Sequence, residues 1–403
     1  MKIGIDARFF GPPGKGLGRY TEKLVKNLEK IDFENQYSIF MRRETWNDYQ
    51  PENPNFKKVL ADLKWYSLSE QIFLPRILSR KKLDLIHFPH FNVPIFFRGN
   101  FVVTIHDLIL LKFPTKRATT LGPIKYLIKY WGYKKTIINA VKSAKRIIAV
   151  SNYTKSEISD YFKINPEKIC VIYEAADSVE WGQLTLPTDT FLKKHKITKP
   201  YLLYVGNAYP HKNLERLLSV FKKLKDNFRP IWQVYSRQAR TATNFQQDQD
   251  ENFPYQLVLV GKEDYFYRRL HHEAKNLKLL KGNDVIFFGF ATQKELAALY
   301  RQASLYIFPS YVEGFGLPPL EAASYGIPVA AAKSSSLPEI LGEAALYFDP
   351  YNEKEMAEII FKAVTDELLR QKLHKKGFLK VKEYSWLKCA KETKEVYESI
   401  GKN

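Results

Sequence analysis

Short apolar runs alternate with helical stretches along almost the whole chain, and this alternation constrains the fold more than any other feature. Residues 2–7 (KIGIDA) form a compact β-branched run followed by a Gly/Pro loop, the pattern of a buried strand. Residues 20–30 carry helical spacing through Leu24, Val25 and Leu28. Further strands are expected at 84–88, 101–105, 146–150 and 168–173. A second series follows at 201–205, 256–260, 284–288, 304–308 and 327–332. Strands separated by helices imply parallel sheets with right-handed crossovers. The two series are divided by a polar stretch punctuated by Pro187 and Pro200. The expected division is a first domain over 1–182, a linker over 183–199 and a second domain over 200–386. Residues 236–254, rich in Gln, Asp and Arg, read as a mobile surface insertion. Two doubly wound domains facing one another would place a ligand cleft between them, at the carboxyl ends of the strands.

Composition narrows the class. At 403 residues, the chain has room for two or three domains. Its 45% hydrophobic and 26% charged residues exclude a disordered, collagen-like or low-complexity chain. No run approaches the roughly 18 apolar residues of a membrane span, and Met1-Lys2 leads straight into a strand, so neither a signal peptide nor an integral helix is expected. Two cysteines, Cys170 and Cys389, do not make a disulfide framework or a zinc site and suit a reducing cytosol. The net charge is +20, and residues 51–150 contribute +13 of it. Such a concentrated field points to an anionic partner: nucleic acid, an acidic lipid surface or a phosphorylated substrate.

The densest motif is 308–328, FPSYVEGFGLPPLEAASYGIP. A strand ends at Phe308, a loop carries Glu313, Gly314, Phe315 and Gly316, and Pro318 and Pro319 mark the first turn of a helix expected over 320–325. Free N–H groups at Gly314 to Leu317 make an anion site that glycine lets a ligand approach closely. Glu313 and Glu321 can both accept hydrogen bonds from sugar hydroxyl groups. The simpler alternative has Glu321 capping the helix and Glu313 in solvent.

The longer stretch EGFGLPPLEAASYGIPVAAAKSSSLPEILGEAALYFDP (313–350) resembles the signature of family 4 of the retaining glycosyltransferases, and Glu313 and Glu321 reproduce that family's Glu-x7-Glu spacing. LLYVGNAYPHKNLERLL (202–218) is similar to the family's strand, glycine loop and lysine-bearing helix start. There Gly206 opens the loop and Lys212 would neutralise a diphosphate. The family usually places Arg before that Lys; this chain has His211. LVLVGKEDY (257–265) and VIFFGFATQKELAALYRQA (285–303) match the next two units, with the loop at Gly289, Phe290 and Ala291 expected to cradle the base. In the first half, GIDARFFGPPGKGLGRYTEKL (4–24) resembles the family's first strand, glycine loop and helix, so Gly16 and Gly18 are expected to close over the diphosphate. VVTIHDLILLKFP (102–114) places His106 at a strand end, near the transferred sugar by resemblance. A structural His106 bonded to Asp107 is the alternative. AVSNYTKSEI (149–158) matches a further junction, and YSWLKCAKETKEVY (384–397) resembles the closing helix, expected over 387–403, that crosses back to the first domain.

The resemblance implies an α/β protein of the GT-B class, with two Rossmann-like doubly wound domains facing across a cleft. It implies a retaining hexosyltransferase with a nucleotide diphosphate sugar as donor, bound mainly by the second domain. The acceptor would be a glycan or polyprenyl-diphosphate-linked sugar of surface polysaccharide synthesis, bound by the first. His106, Lys212 and Glu313 are the expected catalytic residues. No cofactor and no metal are expected; Asp248 and Asp250, the one Asp-x-Asp, lie in the insertion. GDP-mannose is the expected donor, with a UDP-sugar as the alternative. From other classes, a nucleic-acid binder and a nicotinamide dehydrogenase fit less well, because a recognisable binding module and the G-x-G-x-x-G fingerprint are both lacking. Finally, 115–146 carries Ile124, Leu127, Ile128, Trp131, Ile138 and Val141 at helical spacing among Lys125, Lys129, Lys134, Lys135, Lys142, Lys145 and Arg146. Part of that stripe must pack on the sheet, but a basic, aromatic helix also suits an anionic membrane surface. The expectation is a cytoplasmic enzyme, peripheral on the inner face of the cell membrane.

Overall fold

The computed structural model describes residues 1–113, 122–176, 188–226 and 253–401. The chain forms two compact units, Met1–Ala175 with Tyr384–Asn403, and Ala176–Glu383.

The first unit is built on seven parallel strands: β1 (Lys2–Asp6), β2 (Gln36–Met41), β3 (Phe56–Leu60), β4 (Leu85–Phe88), β5 (Phe101–Ile105), β6 (Arg146–Ala149) and β7 (Ile169–Val171). Their order is β3-β2-β1-β4-β5-β6-β7. Alternate side chains enter two separate cores. Val102 joins the cluster of Ile3, Ile5, Leu24 and Tyr397, whereas Phe101, Val103 and Ile105 join that of Leu74, Leu78, Val141 and Ile158. The first cluster is roofed by the helices Lys15–Ile31 and Trp386–Gly401. Helix Lys15–Ile31 stops at Asp32, whose carboxylate accepts from the backbone N–H groups of Glu34 and Asn35 and from the Tyr37 hydroxyl, turning the chain into β2.

The second unit has six parallel strands: β8 (Tyr201–Val205), β9 (Gln256–Val260), β10 (Val285–Gly289), β11 (Leu305–Phe308), β12 (Val329–Ala332) and β13 (Ala345–Phe348). The order is β10-β9-β8-β11-β12-β13. Both sheets therefore have the doubly wound arrangement in which strand order reverses, between β1 and β4 and between β8 and β11. Ligands of such sheets bind beyond the carboxyl ends of the strands at that reversal.

The expected strands are present, most of them with ends trimmed by a few residues. β2, β3 and β13 were not anticipated; FKKVL of β3 is short and half polar because it is an edge strand. The expected linker is partly helix, since Thr188–Lys194 is an α-helix belonging to the second unit. Only part of the expected linker lies within the described residues, and the insertion that holds Asp248 and Asp250 lies outside them apart from Phe253 and Pro254. Helix Lys15–Ile31 begins five residues earlier than its apolar spacing suggests, so Gly16 and Gly18 are helical rather than part of the loop. Gly18 serves close packing in this helix, because a Cβ on it would lie 2.0 Å from the Gly11 carbonyl oxygen and 2.4 Å from that of Phe9, whereas a Cβ on Gly16 would meet nothing within 4 Å.

Candidate active site

In the second unit, the reversal brings the ends of β8 and β11 together. Gly206 follows β8 with φ +153°, and its carbonyl accepts from the Tyr267 hydroxyl at 2.8 Å. The chain then makes a tight turn over Pro210–Lys212 and starts helix Leu214–Asp226. Lys212 Nζ donates to Glu313 Oε1 at 2.6 Å and lies 5.4 Å from the centre of the Phe308 ring. Glu313 is buried, which removes the alternative that it sits in solvent. Its loop is pinned by serines: the Glu313 N–H donates to Ser335 Oγ at 2.9 Å, and the Ser336 hydroxyl is shared between the carbonyl oxygens of Glu313 and Phe315. Gly316, at φ +101°, is the N-cap of helix Leu317–Ser324, and no side chain caps that end. A Cβ on Gly316 would come within 2.7 Å of Leu337. Glu321 lies beyond the first turn and is half-buried, so it is not the cap. At the end of β10, Gly289 adopts φ +84° with open space where its Cβ would be, and Phe290 is exposed.

His211 replaces the guanidinium expected beside Lys212. Burial, then the Lys212 charge, push its imidazole down to about 4, with Glu313 opposing only in part. His211 is therefore neutral at pH 7, and Lys212 is the fixed cation of this turn. His211 also ties the two loops together, because its carbonyl accepts from the Tyr311 N–H at 2.8 Å.

In the first unit, a polar network occupies the corresponding reversal. Arg8, fully buried just beyond β1, donates from Nε and Nη2 to Asp6 at 2.7 Å each and from Nη2 to Glu70 Oε1 at 2.6 Å. Asn92 donates to the same Glu70 oxygen at 2.7 Å, and the Tyr66 N–H donates to Oε2 at 2.9 Å. His106 follows β5. Its partner is Glu174, not Asp107: Nδ1 lies 2.8 Å from Glu174 Oε1 and Nε2 lies 2.9 Å from the Pro89 carbonyl oxygen. Asp107 instead accepts from the Ile109 N–H, two residues on. Burial opposes a charge on His106, but the Glu174 carboxylate and the Pro89 carbonyl outweigh it and hold the imidazole above its ordinary pKa. With an acceptor at each nitrogen, the ring keeps both protons. A sugar hydroxyl would reach either nitrogen only by displacing one of these oxygens. Glu174 and His90 carry no motif, and the signal that marks them is their place two or three residues past a strand; Arg8 lies in the first glycine-loop segment, and Tyr66 precedes helix Leu68–Ser79 with no local signal.

The predicted residues thus fall into three groups. Gly206, His211, Lys212, Glu313, Gly314, Phe315 and Gly316 lie on adjoining loops at the second reversal, and Leu317 and Glu321 lie in the helix that follows. Gly289 and Phe290 lie at the end of β10, two strands from β8. His106, Gly16 and Gly18 belong to the first unit. Among the described residues, no group of three His, Cys, Asp or Glu side chains is arranged to hold a metal ion. A cavity of about 350 Å³ bounded by Arg76, Leu78, Lys82, Ile86, Phe97 and Asn100 lies at the amino ends of β4 and β5, away from the reversals.

The family model described as Glycosyltransferase Family 4 matches residues 14–179, and the model Glycosyl transferases group 1 matches 188–380. The O-antigen chain mannosyltransferase B of Escherichia coli is 26% identical over 99% of this chain and 100% of its own length. Among solved structures, sucrose-phosphate synthase from Thermosynechococcus elongatus superposes with TM-score 0.71 at 18% identity, over 99% of each chain. HepE of Anabaena, in complex with UDP-glucose, superposes with TM-score 0.68 at 17% identity, over 99% of this chain and 100% of that one. With a glycosyltransferase model matched to each of two Rossmann-like units, and the Glu-x7-Glu loop in place at a strand reversal, the chain belongs to the family 4 glycosyltransferases of the GT-B class.

Proposed function

We propose that the enzyme transfers mannose, with retention of configuration, from GDP-mannose to a glycan or polyprenyl-diphosphate-linked acceptor in surface polysaccharide synthesis. The Lys212–Glu313 pair at the β8/β11 reversal carries this reading: a cation and a carboxylate, 2.6 Å apart, beside a glycine loop and an uncapped helix start. Lys212 has three N–H groups and spends one on Glu313, leaving donors for a diphosphate. The N–H groups from Gly314 to Leu317 would meet the developing negative charge of the leaving group, the term that dominates such chemistry. The leaving phosphate would help take the acceptor proton. Glu313 would hold sugar hydroxyls and Glu321 the ribose, with no metal invoked. The mannosyltransferase named among the relatives supports mannose, whereas the HepE complex with UDP-glucose supports a UDP-sugar as the second reading.

The test is calorimetric titration with GDP, UDP and NAD, followed by nucleotide release from GDP-mannose and UDP-glucose. GDP should bind more tightly than UDP, and NAD should not bind. Release of UDP but not GDP would overturn the donor assignment, and binding of neither nucleotide would overturn the reading as a whole.

Among the described residues, no helix is long and apolar enough to cross a membrane. The proposed lipid-linked acceptor would instead bring the protein to an anionic bilayer through helix Pro123–Ser143. The carboxyl-terminal half of that helix packs on the sheet through Ile137, Ala140 and Val141. Its other half leaves Ile124, Leu127, Ile128 and Trp131 exposed by 54–75%, spaced as one stripe, with Lys125 and Lys129 also exposed. Each Lys near such a surface contributes about 1 kcal/mol, an attraction screened within a Debye length of about 8 Å. The protein is expected to sediment with vesicles containing phosphatidylserine and to be released by high salt. Replacing Lys125, Lys129, Lys134 and Lys135 with Gln should abolish sedimentation while leaving GDP binding intact. Equal sedimentation with neutral vesicles would sink the electrostatic docking.

A further inference from the structure

The reversal between β1 and β4 holds a group of side chains that the donor chemistry does not use. His90, two residues past β4, places Nε2 2.9 Å from the Tyr66 hydroxyl. Phe9 meets the His90 ring edge-on at 5.4 Å and stacks on Trp65 at 4.4 Å, 9° from parallel. Phe91 completes the aromatic wall at 4.0 Å from His90. Tyr66 is 61% exposed and sits at φ +58°. A bulky side chain in the left-handed region costs about 1–3 kcal/mol. Here that conformation sets one edge of the ring against Phe9, His90 and Phe91, at 6.2–6.3 Å between ring centres, and leaves the rest of it exposed. The conformation is enforced from beneath by the Tyr66 N–H bond to Glu70, itself locked to buried Arg8.

We propose that Tyr66 and His90, with Trp65 and Phe9 behind them, form a pyranose-binding subsite that receives the acceptor sugar, an assignment that rests on the glycosyl-transfer reading above.

The chemistry selects an uncharged polyol. Burial and the neighbouring charged His106 hold His90 well below its ordinary pKa, so its imidazole is neutral. Among the described residues no partner meets its Nδ1. The Tyr66–His90 pair can therefore shift its protons between two arrangements, offering Nδ1 as a donor in one and as an acceptor in the other. A sugar hydroxyl, which both donates and accepts, suits either. An anion does not: the nearby Arg8 is already matched against two carboxylates, Asp6 and Glu70, so the local charge is not positive. Two buried donors on the flanking residues, Arg8 Nη1 and Trp65 Nε1, also lack an acceptor among the described residues. The exposed Tyr66 ring supplies the apolar surface on which the C–H face of a pyranose rests.

The test is ligand-observed saturation-transfer NMR with methyl α-mannoside, methyl α-glucoside and methyl α-galactoside on the whole protein, alongside GDP and UDP titrations. At least one glycoside should bind the wild type. Tyr66→Gly, which relieves the positive φ and so should fold, is expected to weaken that glycoside about tenfold. Tyr66→Phe and His90→Phe, which keep the rings, should weaken it several-fold. Nucleotide affinity should not change in any of the three. The proposal is overturned if no glycoside binds the wild type, if Tyr66→Gly and His90→Phe bind it as well as the wild type does, or if Glu313→Gln alone removes binding. Failure of both nucleotides to bind the wild type would instead count against the glycosyl-transfer reading.

Discussion

Lys212→Met will lower kcat/KM for the nucleotide sugar by about 10²–10³-fold, the loss typical of removing one preorganised group that meets developing charge. Affinity for the nucleoside diphosphate should fall steeply, whereas affinity for the free nucleoside should hardly move, because only the diphosphate carries the charge that Lys212 neutralises. The variant will also be less stable. The two side chains of the pair are only 13% and 11% exposed, so Glu313 would be left as a nearly buried, uncompensated carboxylate. Stability and catalysis can be separated by adding Glu313→Gln, which removes the stranded charge. The double variant should regain melting temperature but not activity. If kcat/KM with the true donor stays near wild type in Lys212→Met, the donor site is elsewhere. His211 sharpens this expectation. Burial, the largest influence on its imidazole, still opposes a charge there once the Lys212 cation is gone.

The second large effect concerns the first unit. Arg8→Met is expected to cost about 3–5 kcal/mol of unfolding free energy, because it strands two carboxylates around one buried position. Asp6 would lose both of its bonds to the Arg8 side chain, and the carboxylate of Glu70, completely buried, would keep only the Asn92 amide and the Tyr66 N–H. The deficit should depend on pH in a definite direction. In the wild type, burial already raises the Glu70 carboxyl above its ordinary pKa, and Arg8 is the main influence holding it down. Without Arg8 the folded-state pKa rises further. The folded variant then binds a proton that the unfolded chain, with a carboxyl near 4.3, releases. Stability is retained below that unfolded value and lost as pH rises through the folded one. Urea unfolding should therefore show a larger gap to wild type at pH 8 than at pH 5. A loss under about 1 kcal/mol with no pH dependence would mean that the network behaves like an exposed ion pair. Because Glu70 also holds the Tyr66 backbone, the same variant should weaken the pyranoside binding inferred above.

Much of this protein was legible in its residues because the relevant information is local. The alternation of apolar runs and helical stretches specified two parallel sheets, since buried parallel strands read as continuous apolar segments whatever packs on them. Glu313, Gly316 and the two prolines declared the loop and helix start for the same reason: glycine at φ +101° and proline in a first turn are constraints of the local backbone. Edge strand β3 stayed hidden because half of FKKVL faces water, and the start of helix Lys15–Ile31 was misplaced because its first turn holds Gly16 and Gly18, poor helix formers that read as part of the glycine loop.

What only the tertiary structure decided is which side chain answers which. Asp107 adjoins His106 in sequence, yet Glu174, 68 residues away, is its hydrogen-bond partner, because parallel strands deliver their carboxyl ends to one edge of the sheet regardless of spacing. Lys212 and Glu313 meet across 101 residues by the same rule. Sequence determined which residues stand at strand ends; the order of strands determined who stands next to whom. The electrostatic character of each histidine followed from that placement. Two acceptors keep His106 protonated, whereas burial and neighbouring positive charge keep His90 and His211 neutral, and no local pattern in the chain distinguishes the three.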